Sequence, residues 1–298
     1  MTTPILVTGA TGRVGTELVR LLDRAGVRPR ALVRDVERAR TRLGDRAELV
    51  AGDLGRPADL DAALAGVDRM FVLTATGRGQ LTQERNAIDA AVRAGVRHVV
   101  KLSVLDAGRD SPLRHGVWQG DANALLVNSP VRHTVLQLAF FMQNLFGMVG
   151  GGAIRSSAGD GRVAMVDARD VAAAVAATLV DCPDWAYDRT LVLSGPEALS
   201  FDDTAKVLAE ATGLPVRHLP VPREQVAAML RRFGAEEWYA EDVAVFNDLI
   251  AAGRVATVTD TVRRLTGSAP RSLADFAREH APVLARAAAP APAGRPGG

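Results

Sequence analysis

The chain has 298 residues, 48% of them apolar and 4% aromatic, with 36 basic against 34 acidic side chains and a net charge of +2. That is enough for one large α/β domain, or one domain with a smaller appendage, cored by aliphatic side chains and alanine. The arginines are scattered, with no basic run or aromatic platform, so no nucleic-acid partner is expected.

Cys182 is the lone cysteine, which excludes an intramolecular disulfide or a cysteine-based zinc site and fits a reducing cytoplasm. The sequence shows no signal-peptide pattern and no apolar stretch near the ~18 residues of a membrane span, so a cytoplasmic location is expected.

Ile5, Leu6 and Val7 form a short apolar run, the pattern of a parallel strand buried on both faces. Gly9, Gly12 and Gly15 follow at three-residue spacing, then a helical pattern over 16–25 with Leu18, Leu21 and Leu22 on one stripe. Strand, glycine turn and helix place a helix N-terminus at the mouth of a sheet, where its N–H groups and dipole suit a pyrophosphate. In this reading Gly9 makes the tight turn, Gly12 admits the phosphates and Gly15 lets the helix lie on the strand. The spacing is GxxGxxG, not the standard GxGxxG. Thr11, Arg13 and Val14 complete the expected phosphate loop.

Residues 28–33 read as the second strand and end at Arg34-Asp35. An acidic side chain here grips a ribose 2′-hydroxyl. Arg34 instead suits a 2′-phosphate and favours NADP(H) over NAD(H), unless it is an ordinary surface arginine. A helix over 36–43 and a third strand over 48–51 lead to Asp53 and Leu54. Asp53 could meet the adenine amino group, with Leu54 flanking the ring, or cap the helix beginning near Pro57.

A fourth strand, 69–73, ends in Thr74, Ala75 and Thr76, small residues over which a ribose or diphosphate could pass. A long helix over 81–94, carrying Gln83 and Asn86, precedes a fifth strand over 96–102 and Ser103. Five such units at regular spacing imply right-handed crossovers and a Rossmann-like, doubly wound parallel sheet. A helix over 118–128 and a sixth strand over 134–138 follow.

Just past that strand stand Phe140, Phe141, Met142, Gln143 and Asn144, the expected wall of an aromatic substrate, although the phenylalanines could equally be core. A glycine- and serine-rich loop or hairpin spans 150–161. Residues 163–167 enter an alanine-rich helix over 168–180, which Asp167 and Asp170 suit as cap residues. Short strands at 191–194 and 216–219 and a helix at 201–211 precede a mostly helical stretch to about 280. The expected division is a nucleotide-binding domain (1–150 with 163–195), a smaller C-terminal substrate lobe (196–284) and a disordered tail (285–298).

The segments TGATGRVG, LVRD, AGDL, VVKLSVLDA, HTVLQLAFFMQN and VDARDVA occur in this order. With them the chain resembles the atypical short-chain dehydrogenase/reductases of the NmrA-like group, over about residues 4–280. The resemblance implies a Rossmann domain carrying NADP(H), with substrate held under the C-terminal lobe. The group includes quinone and carbonyl reductases as well as sensors that bind the cofactor without turnover.

The sequence departs from the pattern. No Tyr-x-x-x-Lys follows Ser103, and the only tyrosines, Tyr187 and Tyr239, lie far downstream. Where many members carry a His-x-x-x-Glu pair after a tryptophan, this chain has Trp118-Gln119 and Asn123. Neither amide exchanges a proton near neutral pH.

Ser103, Lys101 and Gln119 are therefore the catalytic candidates. Ser103 could hold a carbonyl or the nicotinamide amide, or only satisfy a strand end. Lys101, on a strand covered on both sides, needs a partner or a route to water: the cofactor, Asp106 or a snorkelling path. His115 is expected in a loop over 106–116 and His133 on the surface, without the spacing of a metal site.

The expected function is NADP(H)-dependent reduction of a quinone, enone or ketone by a monomer or homodimer. A redox sensor without turnover and a non-redox cyclase or isomerase are the alternatives.

Overall fold

Residues 4–288 are described by a computed structural model. They fall into two units. The first takes the chain up to Leu138, then Ala168–Leu193 and Thr259–Ala269; the second takes Ala139–Asp167, Ser194–Val258 and the chain from Pro270. Residues 139–150 thus sit with the second unit and 259–269 with the first.

In the first unit, apolar strands alternate with amphipathic helices: β1 (Ile5–Val7), α1 (Arg13–Arg24), β2 (Arg30–Val33), α2 (Val36–Leu43), β3 (Glu48–Ala51), α3 (Pro57–Ala63), β4 (Arg69–Val72), α4 (Gln80–Arg93), β5 (His98–Val104), α5 (Arg114–Val127) and β6 (Arg132–Leu138). Helix Ala168–Val180 and strand Arg189–Leu193 complete it. Ile5, Leu6 and Val7 are all buried because helices cover both faces of the sheet. The strand order is Arg189–Leu193, β6, β5, β4, β1, β2, β3, every pair parallel.

The chain reverses direction across the sheet between β1 and β4, the topological switch point where open α/β sheets bind their ligands. Thr8 locks that point: its hydroxyl lies 3.2 and 3.0 Å from the carbonyl oxygens of Phe71 and Leu73 and accepts from the Leu73 N–H at 2.9 Å.

The second unit has small sheets and helices. Val149–Gly150 pairs antiparallel with Ala153–Ser156, so the glycine-rich segment is a hairpin, and Arg217–Pro220 joins it in parallel. Phe140–Phe141 pairs with Met165–Val166. Helix Phe201–Thr212 is bounded by a Ser200/Asp203 capping box and by Gly213 at φ 68°. The tail expected to be disordered begins inside a helix, Ala281–Ala288, anchored by buried Leu284 and Ala288; its residues from 289 lie outside those described.

Two histidine expectations change. His133 is buried, because its strand passes through the interior of the sheet and Asp188 accepts from its N–H at 3.1 Å. His115 stands on α5, which begins at Arg114, four residues before the expected start.

His98, at the first residue of β5, is 2% exposed, and Tyr187 packs on its ring at 4.7 Å. The Thr134 hydroxyl donates to the Ala186 carbonyl, so His98 Nε2 must donate to Thr134 Oγ1 at 3.0 Å. Its Nδ1 meets no partner among the described residues. Burial first, then the charges of Arg69 and Arg132, push its pKa down to about 4 from 6.5.

The folded state therefore refuses a proton that the unfolded chain takes up below pH 6.5. This contribution is fully present above that pH and is lost as pH falls towards 4, by about 3 kcal/mol in all. Urea midpoints followed from pH 7 to 4 should fall more steeply for the parent than for a His98→Gln variant.

Candidate functional site

The glycine turn is the first part of the site. Gly9 has φ +63°, and a Cβ there would stand 2.8 Å from the Leu73 carbonyl oxygen. A Cβ on Gly15 would collide with the Gly9 carbonyl oxygen. Glycine at both positions brings the start of α1 down onto the ends of β1 and β4. Gly12 is the N-cap; no side chain caps the helix and its first turn holds no acid. An anion would complete this helix end.

A niche of about 340 Å3 opens here, lined by Gly9–Gly12, by Arg34 past β2, by Gly52–Leu54 past β3 and by Leu73–Ala75 past β4. Among the expected cofactor residues, Gly9, Thr11, Gly12, Arg34, Asp53, Leu54, Thr74 and Ala75 meet in this one niche. Val14 and Gly15 lie buried in α1 beneath it, Arg13 is exposed on the same helix, and Thr76 is exposed just past Ala75.

Asp35 is occupied: it caps α2, its Oδ1 accepting from the Arg38 N–H at 2.9 Å. Arg34 is left as the exposed charge of the pair facing the niche. Asp53 does not cap α3, whose N-cap is Arg56; its Oδ1 accepts from the Gly55 N–H at 2.7 Å in a local turn.

Beside the niche a polar network runs into the core. The Lys101 side chain, wholly buried, neither snorkels nor meets Asp106; it lies 3.0 Å from Glu84 Oε2 on α4. That contact is an ion pair without hydrogen-bond alignment, since Glu84 Oε2 has no aligned donor. The lysine also donates to Gln119 Oε1 and, at 3.0 Å, to Asn123 Oδ1. Glu84 Oε1 accepts from the Thr74 hydroxyl at 2.7 Å, from Gln119 Nε2 at 3.0 Å and from Gln80 Nε2 at 3.3 Å. Asn123 Nδ2 donates to Ser103 Oγ at 2.9 Å. Burial pushes the Lys101 ammonium below its usual range, and Glu84 opposes that shift.

The directions of these bonds are forced. A lysine has only donors, so it turns Asn123 Oδ1 inward and Nδ2 towards Ser103. The serine oxygen then accepts from below, and its own proton is free to point elsewhere. Gln119 has both amide ends bound inside the network and presents neither outward. Tyr187 cannot replace the missing phenol, since it packs on His98 at the opposite end of β5 from Ser103 and under the Arg132 guanidinium.

In the second unit, Phe140 is buried and stacks on Phe246 at 6.0 Å, while Phe141 is half-buried. Gln143 is buried and donates to Asp167 Oδ1 at 2.9 Å; Asn144 is exposed.

A sequence profile described as the NmrA-like family matches residues 1–276. The chain belongs to that family. It is 37% identical to an NAD(P)H azoreductase of Xenophilus azovorans, over 95% of this chain and 100% of the relative. It is 26% identical to quinone oxidoreductase 2 of Escherichia coli, over 91% and 96%. Among solved structures it resembles triphenylmethane reductase of Citrobacter sp. in complex with NADP(H), with TM-score 0.81 and 27% identity over 93% and 99% of the two chains.

Glu84 is the residue of this site that sequence reasoning missed. A signal existed: a lysine inside a covered strand demands a carboxylate, and Glu84 is an acid on the helix that leads into that strand. Reading α4 by its amides, Gln83 and Asn86, passed one residue to its side.

Removing one member of a buried pair leaves the other uncompensated, at a cost of about 3–5 kcal/mol. Lys101→Met and Glu84→Gln should each lower stability in urea by that order. The double variant should recover most of it, the coupling being read from the double-mutant cycle.

Proposed function

We propose that this protein is an NADP(H)-dependent reductase of a conjugated small molecule, a quinone or related enone or ketone. The observation that carries the reading is the cradle at the start of α1, where only glycine fits, opening on a niche that Arg34 faces. The residues fit a dinucleotide: the uncapped helix end takes the diphosphate, Arg34 a 2′-phosphate, Leu54 and Asp53 the adenine side, and Thr74–Thr76 the ribose side. The names of the relatives above point the same way, since azo compounds, quinones and triphenylmethane dyes are all conjugated acceptors.

Bound there, the nicotinamide supplies a hydride. The chain's own residues position. Ser103, held as a donor by Asn123, offers one hydrogen bond to an acceptor oxygen or to the carboxamide. Lys101, Glu84 and Gln119 act as positioning residues for Ser103 and Thr74. No side chain in this network is a strong acid towards solvent. The fitting substrate is thus one whose reduced anion is delocalised and can take its proton from water.

The test is oxidation of NADPH by purified protein with a benzoquinone or naphthoquinone and, separately, with an unactivated ketone. Turnover with the quinone and none with the ketone is expected, and Ser103→Ala should lower kcat about tenfold. Tight NADPH binding with no oxidation by any quinone or activated enone would replace the reductase by a sensor; no NADPH binding at all would remove both.

Arg34→Ser should raise the KM for NADPH about tenfold or more while leaving the KM for NADH within about threefold. A charge-assisted contact to phosphate is worth about 1.5–3 kcal/mol, and NADH has no phosphate at that site. Equal effects on the two cofactors would sink the assignment of Arg34.

A further inference from the structure

The second unit holds a cavity of about 700 Å3 of its own. Its walls are apolar and partly aromatic, with Phe140 and Phe246 stacked on one another at 6.0 Å. Three polar side chains break that lining: Arg155, Arg232 and Asn247.

Asn247 is 5% exposed, and its Nδ2 donates to the Val243 carbonyl one helical turn back at 2.8 Å. Its Oδ1 is buried with no partner among the described residues. Burying an acceptor unpaired is costly, so this wall asks for an O–H or N–H donor.

The two arginines differ from their neighbours. Arg223 pairs with Glu241 and Asp248, and Arg231 with Glu237 and Glu241. Arg155, exposed, reaches only the Gly150 carbonyl oxygen at 3.2 Å, and exposed Arg232 meets no carboxylate among the described residues. No acid stands in the lining. Next to Arg232 is Phe233, 89% exposed, an apolar rim at the same opening.

We propose that this cavity binds an amphipathic organic anion: an apolar, preferably aromatic body inside, an acidic head at Arg155 and Arg232, and one hydroxyl or N–H donor facing Asn247 Oδ1. Each part answers one unmet demand: apolar wall with apolar surface, two unpaired cations with an anion, one lone acceptor with a donor. The inference stands apart from the reductase reading, because no nucleotide and no hydride enters it.

The test uses two dyes with the same body: 8-anilinonaphthalene-1-sulfonate, an anion with an N–H, and the neutral N-phenyl-1-naphthylamine. Fluorescence titration at low salt should give the sulfonate at least tenfold tighter binding. An Arg155→Gln/Arg232→Gln variant should bring the two within about twofold, chiefly by weakening the sulfonate. An unchanged ratio in that variant would overturn the anionic head.

Val243→Trp, which fills the cavity, should abolish the binding of both dyes; binding that persists would place them elsewhere and overturn the site. In competition, 1-naphthol-4-sulfonate should displace the bound sulfonate dye better than naphthalene-1-sulfonate. Asn247→Leu should erase that advantage. An advantage that survives would overturn the role of Asn247.

Circular dichroism and NADPH titration of each variant accompany these measurements. A fold retained with NADPH binding unchanged isolates the result to this cavity, and NADPH failing to bind the parent would leave the dye results standing on their own.

Discussion

Lys101 inside β5 is the constraint on which the first unit's polar interior depends. A wholly buried ammonium is tolerable only with its charge matched and all three donors used. Glu84 supplies the charge, and Gln119, Asn123 and, at 3.5 Å, the Leu102 carbonyl oxygen supply the acceptors. Those demands reach outward in two directions. Through Glu84 they hold the Thr74 hydroxyl at the niche; through Asn123 they hold Ser103. One buried charge thus fixes groups at the end of β4 and near the end of β5. Hydrophobic residues of similar volume at both 84 and 101 would spare the desolvation cost but leave both amides free to turn. Orientation is what the ion pair adds.

The same network explains how the family fold here departs from the tyrosine–lysine pattern of short-chain enzymes. In that pattern a lysine lowers the pKa of a phenol. Here the lysine is sealed away from solvent and its hydrogen-bonded side-chain partners are the amides of Gln119 and Asn123, neither of which ionises near neutral pH. The two tyrosines are committed elsewhere: Tyr187 against His98 and Arg132, Tyr239 against Trp238. A site built in this way can orient and polarise but has no strong acid to give.

Much of the first unit was legible in the sequence, because its signals are local. Apolar runs of three or four residues, glycines at turns and amphipathic stripes depend on near neighbours, and α2 and β3 begin and end where the pattern sets them. What was not legible depends on distant partners. Asp35 and Asp53 carry the same charge at similar places, yet one caps a helix and the other closes a turn; only the path of the following backbone separates them. Glu84 and Lys101 stand 17 residues apart on elements whose packing the pattern implies but does not specify. His133 reads as a surface residue until Asp188, brought alongside by the added strand at 189–193, takes its N–H.

In the second unit the same lesson appears as a contrast between two sets of side chains. Ser156 Oγ lies 2.8 Å from His218 Nε2, and His218 Nδ1 lies 3.2 Å from Asp202 Oδ2, a serine–histidine–aspartate chain with distances suited to nucleophilic catalysis. Yet Ser156 is 1% exposed, is not among the residues lining the cavity, and accepts from the Ala158 N–H at 3.4 Å. The chain of bonds ties the paired strands 153–156 and 217–220 to the start of helix Phe201–Thr212, and every group in it is spoken for within the fold. Asn247 is the reverse case: an unremarkable residue type, buried, with one side-chain atom unpaired among the described residues, in a residue that lines the cavity. Residue identity favours the first set as a site, whereas accounting for each polar atom favours the second. Because burial penalises an unmet group more than it rewards a familiar arrangement, the unmet group is the stronger sign of a missing ligand.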